Sequence, residues 1–134
     1  MEDLKISVTA RRKLLVQMYY RYLLASSSLE YIKQDILDET QAQLDEATAT
    51  IANDINEKLE ELITNVEEHL SNDWKWERLP ALIGAIFVVG TYEIKYTDTP
   101  KPVTINEMVK FTKELEPDFD YKFVNAVLDK IRKI

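Results

Sequence analysis

The ten residues Ala81–Gly90, "ALIGAIFVVG", restrict the fold of this chain more than any other stretch. Leu82, Ile83, Ile86, Phe87, Val88 and Val89 fall all round a helical wheel, so a helix over Pro80 to Tyr96 has almost no face to give to water. The run is about half of the ~20 residues needed to cross a bilayer. Such a helix must be covered by other elements of the same chain. Pro80 suits its first turn, where a missing N–H costs nothing, and "TDTPKP" ends it.

The covering elements read as helices. Only two glycines occur in 134 residues, whereas hairpins and barrels need glycine at their turns. Thr9 to Ser26 has helical composition, with Leu15, Val16, Met18, Tyr19, Tyr22 and Leu23 on one broad face. Lys13, Gln17, Tyr20, Arg21 and Leu24 lie opposite; that mixed face fits either a partner surface or a further packed helix. Leu29 to about Glu39 predicts a short second helix. Asp45 to Leu70 predicts a third, through the stripe Ile51, Ile55, Leu59, Leu62, Val66 and Leu70. "NDWKWERLP" reads as a joint before the central helix.

After the central helix, "VTINEM" has the form of a capping box between Thr104 and Glu107, with Val103 and Met108 as its hydrophobic staple. That helix is expected to run to about Leu115, where "EPD" stops it. Asp118 is the expected cap of a last helix, Phe119 to about Lys133, with Phe119, Phe123, Val124, Val127, Leu128, Ile131 and Ile134 on its apolar arc. Asn125 falls outside that arc, beside Lys122, Asp129, Arg132 and Lys133. The expectation is an all-α fold of six helices and no strand. Three of these helices precede the joint, in about 1–72, and three follow it, in about 73–134.

Several chemistries are closed by what is missing. Without cysteine there are no disulfides, zinc ribbons or thiol nucleophiles, which fits a reducing cytoplasm. The first residues show no apolar stretch before a cleavage site, so no signal peptide is expected. There is no glycine-rich phosphate loop, no G-x-S-x-G elbow and no His-based metal pattern around the single His69. The pairs Glu60–Glu61 and Glu67–Glu68 point about 100° apart on a helix and do not converge on one ion. No catalytic residue, metal or cofactor is expected, and a non-enzyme is the better reading.

The formal charge is −7, unevenly spread. Residues 1–29 carry five basic side chains against Glu2 and Asp3, whereas residues 30–70 carry twelve carboxylates against Lys33 and Lys58. A polyanion would have to be met by a local basic face, since the field of the whole molecule opposes it.

The second half resembles the NusB family of transcription antitermination factors. The segments "TYEIKYTDTPKPVTINEMVKFTKEL" and "YKFVNAVLDKI" carry the likeness. They hold Tyr92-Glu93-Ile94, the Pro100 loop, Ile105-Asn106-Glu107 and the Phe123 to Asp129 motif in the family's order. The first half aligns mainly through "ARRKLLVQMYY". The resemblance implies that the two three-helix halves pack as one domain, a NusB-like helical bundle that binds boxA-type RNA together with the NusE ribosomal protein, in the transcription elongation complex. It implies an RNA face at Arg11, Arg12, Lys13, Lys122 and Asn125, and a partner face at Tyr20, Arg21, Leu24 and Glu77. A cytoplasmic location without membrane contact follows from it, and a homodimer is left open. The alternative, motivated by the acidic charge, is a protein-interaction module of the same fold that has lost specific RNA binding.

Overall fold

In the computed structural model, which describes residues 7–25 and 46–134, the apolar run is one of five helices. They are α1 (Val8–Ala25), α2 (Glu46–Glu67), α3 (Ala81–Tyr96), α4 (Lys101–Leu115) and α5 (Tyr121–Asp129), with a short 3-10 turn at Trp76–Arg78 before α3. No strand occurs among the described residues. The helix expected over Leu29 to Glu39 lies outside them.

α3 is the axis of the bundle. Every residue from Leu82 to Ile94 is buried, as its composition demands. α1 packs along it most extensively, and α2, α4 and α5 cover its remaining sides. Burying each large aliphatic or aromatic side chain contributes about 1.5–3 kcal/mol. Both glycines of the chain lie on this helix, at Gly84 and Gly90, and neither serves a turn. Each is a notch. A Cβ on Gly84 would come within 3.1 Å of Leu23 and 3.2 Å of Trp76; one on Gly90 would come within 3.2 Å of Leu128 and 3.3 Å of Met108. Both glycines thus serve close approach to α3, where an added Cβ would make its neighbours shift.

The joint "NDWKWERLP" folds back onto the bundle. The Trp74 ring lies 5.5 Å from Phe119 and 6.0 Å from Phe123, and Phe123 meets Phe87 edge-on at 6.1 Å. This aromatic cluster ties the segment before α3 to the start of α5.

Two helix starts differ from expectation. α4 begins three residues before Thr104, with Pro100 as its N-cap and Pro102 in its first turn, so Thr104 is inside the helix. The two prolines lack N–H groups where a helix has no acceptor for them, and this outweighs the capping box. Met108 is buried while Val103 is exposed, so no staple forms. α5 is capped by Asp120, whose side chain accepts from the Lys122 N–H at 2.9 Å, and not by Asp118. It ends at Asp129. The tail beyond is pinned by buried Ile131 and by the Ile134 N–H, which donates to the Lys95 carbonyl at 3.3 Å; Ile134 itself is exposed.

α1 and α2 meet through Tyr19, whose hydroxyl lies 2.6 Å from Asn56 Oδ1 and 3.1 Å from the Ala52 carbonyl. Burial first, and nearby Tyr22 second, hold its ionisation well above the ordinary tyrosine range. The raised value means that Tyr19 supports the fold fully below the unfolded-state pKa of about 10, and that this support is lost as pH rises further. Tyr19→Phe is expected to lower the thermal midpoint at neutral pH, through loss of a bond of about 1 kcal/mol. It should also flatten the decline of stability above about pH 10. Thermal denaturation across that range checks this, and an alkaline slope equal to wild type would contradict it.

Candidate RNA and partner surfaces

α1 opens with Ser7, whose hydroxyl accepts from the Ala10 N–H at 3.0 Å. One turn later come Arg11, Arg12 and Lys13. Successive residues on a helix point about 100° apart, so these three cations cannot share a face. Each reaches a different helix. Arg11 Nε donates to Thr48 Oγ1 on α2 at 3.1 Å, and Lys13 Nζ meets Glu114 on α4 at 3.2 Å. Arg12 Nε donates to both carboxylate oxygens of Glu93 on α3, at 2.8 and 3.0 Å.

The Arg12 pair is the centre of this end of the molecule. Arg12 is only 6% exposed and Glu93 8%. Thr104, also buried, donates from Oγ1 to Glu93 Oε2 at 2.7 Å, which joins α4 to the same carboxylate. Glu93 would not be buried unpaired, since an isolated carboxylate in an apolar interior is strongly disfavoured. Arg12 was expected on an RNA face; its burial and its bond to Glu93 make it a structural cation instead. The Thr104 hydroxyl, expected as a helix cap, is consumed by the same group.

The remaining cations of the expected surface lie toward the far end of α4. Lys13 bridges from α1 to Glu114 at the end of α4. Beside Glu114, Lys113 Nζ sits 4.3 Å from the centre of the Tyr121 ring at the start of α5. Lys122 follows Tyr121 and is exposed, as is Asn125 almost one turn further on. Asn125 borders a shallow groove of about 370 Å³ with Ile105, Asn106 and Val109 of α4. Two contacts, Lys13 to Glu114 and Lys113 to Tyr121, therefore bring α1, α4 and the start of α5 together near Lys122 and Asn125. Lys113 and Tyr121 escaped sequence reasoning, because their contact crosses the turn between two helices; the visible signal was a tyrosine preceding Lys122.

At the other end of α1 the expected partner residues separate by depth. Leu24 is 63% exposed, whereas Tyr20 and Arg21 are half-buried, Tyr20 against the core. Glu77, on the 3-10 turn, is exposed and borders a concavity of about 400 Å³. Tyr22, Leu23, Trp76, Pro80 and Gly84 line it as well. Tyr22 and Leu23 were expected in the core; they are half-buried, and the Gly84 notch admits Leu23 and Trp76 to the floor of the concavity.

Among the described residues no group of His, Cys, Asp or Glu is arranged to hold a metal ion, and no helix is long and apolar enough to cross a membrane. What the fold presents is a helical bundle with a cation-and-aromatic strip at one end of α1 and an apolar concavity with an acidic rim at the other. That is the make-up of a binding protein. Comparison with known proteins gives the family. The NusB family model matches residues 9–133. The transcription antitermination protein NusB of Helicobacter pylori (strain Shi470) is 30% identical over 127 residues, which are 93% of this chain and 91% of that protein. The protein of the same name from Campylobacter lari is 35% identical over 124 residues, 91% of this chain and 92% of that one. The structure of T. maritima NusB superposes with a TM-score of 0.75 at 26% identity, over 95% of this chain and 91% of that one. A chain in the crystal structure of a plectonemic RNA supercoil shares the fold, with a TM-score of 0.73 at 20% identity, over 92% and 91% of the two chains. This chain belongs to the NusB family of transcription antitermination proteins. Glu93, in the Tyr-Glu-aliphatic element through which the sequence resembles that family, is the carboxylate that holds α1 and α4 to α3.

Removing one member of a buried, hydrogen-bonded ion pair costs about 3–5 kcal/mol, while replacing both by apolar residues is often nearly neutral. Arg12→Met and Glu93→Leu are each expected to lower stability by about that amount, and the double variant by much less. Urea denaturation of the three variants tests this. Single costs below about 1 kcal/mol, the range of an exposed pair, would contradict it.

Proposed function

We propose that this chain is a transcription antitermination factor that binds boxA-type RNA together with the NusE ribosomal protein, within the transcription elongation complex and in the cytoplasm. The observation that carries the reading is the grouping of exposed Lys113, Tyr121, Lys122 and Asn125 with half-buried Lys13. It combines cations for phosphates with an aromatic ring and an amide, the groups that recognise unstacked bases. Arg12 contributes by holding α1 in place on α3.

Magnitudes explain why a protein partner belongs to the account. Each phosphate contact to a single strand contributes a salt slope of about −0.7, so a few lysines on a chain of net charge −7 bind RNA weakly. The remaining affinity is supplied by a partner seated on Tyr20, Arg21, Leu24 and Glu77. The concavity at Glu77 supports that surface, because it offers an apolar floor with a carboxylate at its rim. The second reading, an interaction module without specific RNA binding, is favoured by the burial of Arg12, which removes one phosphate contact.

Filter-binding with partner present, at low salt, separates the two. The factor is expected to prefer boxA-type RNA over a scrambled sequence. Lys13→Gln with Lys122→Gln should weaken binding and reduce the salt slope by about 1.4, two contacts of about 0.7. Equal affinity for scrambled RNA, with partner binding retained, would overturn the first reading in favour of the second.

A further inference from the structure

At the Lys101 end of α4, away from Lys13, five cationic side chains gather round one concavity of about 660 Å³: Lys95, Lys101, Lys130, Arg132 and Lys133. On a chain of net charge −7 this local excess needs a reason. Lys101 Nζ donates to the Asp129 carbonyl at 2.7 Å, and Lys133 Nζ donates to the Thr97 carbonyl. Both acceptors are neutral. The bonds fix the ammonium groups in place without cancelling their charge, and each keeps two further N–H donors. Lys95 is paired with Glu61 at 2.9 Å, and Asp129 and Ile134 also border the concavity. No carboxylate within ion-pair distance is found for Lys130 or Arg132 among the described residues. Cations still outnumber the carboxylates facing them.

A second observation gives the site a direction. Lys101 and Asp129 border both this concavity and the groove that holds Asn106 and Asn125. The groove leads along α4 and α5 toward Lys122. From Lys101 to Glu114 along α4 is about 20 Å at 1.5 Å per residue. Between the two cationic ends lie side-chain amides, neutral groups that can donate to and accept from base edges.

We propose that the concavity at Lys101, Lys130, Arg132 and Lys133 is a second phosphate-binding site for single-stranded RNA, so that one strand is held at both ends of α4. The inference rests on the RNA-binding reading above and adds to it a contact that the strip at Lys13 and Lys122 does not include. Phosphodiester is the favoured ligand over an acidic peptide, because Lys101 and Asp129 join the concavity to a groove where Asn106 and Asn125 stand among Pro102, Ile105 and Val109.

Amide chemical shifts of the full chain, titrated with a single-stranded uridine oligomer of about 10 nucleotides at low salt, test it. Residues 101 and 130–133 are expected to shift along with 13 and 122. Lys130→Gln with Arg132→Gln should abolish the shifts at 130–133 and lower the salt slope by about 1.4, two contacts of about 0.7. Among the described residues neither side chain bonds another element, so the variant is expected to keep the fold. Lys13→Gln with Lys122→Gln should leave the shifts at 130–133 in place. If they persist while wild type shows no shift at 13 and 122, the new site stands and the proposed RNA strip fails. No shift at 101 and 130–133 in wild type overturns the proposal whatever happens at Lys13. So does a polyglutamate peptide that shifts those amides when the RNA does not.

Discussion

One carboxylate, Glu93, sits inside the most apolar helix of the chain, and the arrangement of the other helices depends on satisfying it. Arg12 and Thr104 do so from opposite neighbours, α1 and α4. The requirement is stringent, because a buried carboxylate tolerates neither a missing partner nor a misplaced one. It therefore fixes how far α1 and α4 slide along α3. Once that register is set, Lys13 must emerge next to Glu114, and the end of α4 must bring Lys113 against Tyr121.

The second constraint is close approach. Gly84 and Gly90 let side chains of other elements touch the backbone of α3, one near each end of the buried run. Gly90 serves the interior, where Leu128 and Met108 close the packing of α4 and α5. Gly84 serves a surface, since Leu23 and Trp76 enter there and shape the concavity at Glu77. The same device thus builds core at one end and a candidate partner surface at the other.

Much of the fold was legible because it follows from periodicity. The all-round apolar run predicted a central helix, and Val8–Ala25, Glu46–Glu67 and Lys101–Leu115 fall close to their expected spans. The helix starts were less legible. Thr104 and Glu107 satisfy the pattern of a capping box, yet the prolines before them and the demand of Glu93 decide the matter, and neither competitor is visible in a local window. Site residues were legible in part. Lys122, Asn125, Leu24 and Glu77 are exposed and Lys13 is half-buried. Arg12 looks the same as Arg11 and Lys13 in the sequence, and only its partner 81 residues away distinguishes it. The contact between Lys113 and Tyr121, and the gathering of Lys101 with Lys133, cross between elements and leave no periodic trace.

The proposed division of labour assigns Arg12 to the fold and the cations outside it to RNA. A triple replacement, Arg12→Met, Glu93→Leu and Thr104→Val, removes the buried polar cluster as a unit and leaves no unpaired member. Its affinity for boxA-type RNA in the presence of NusE, measured beside wild type at one salt concentration, is the most direct test. The account predicts an affinity within a few-fold of wild type and an unchanged salt slope. A well-folded triple variant whose slope fell by about 0.7, the mark of one lost phosphate contact, would contradict it and return Arg12 to the RNA face.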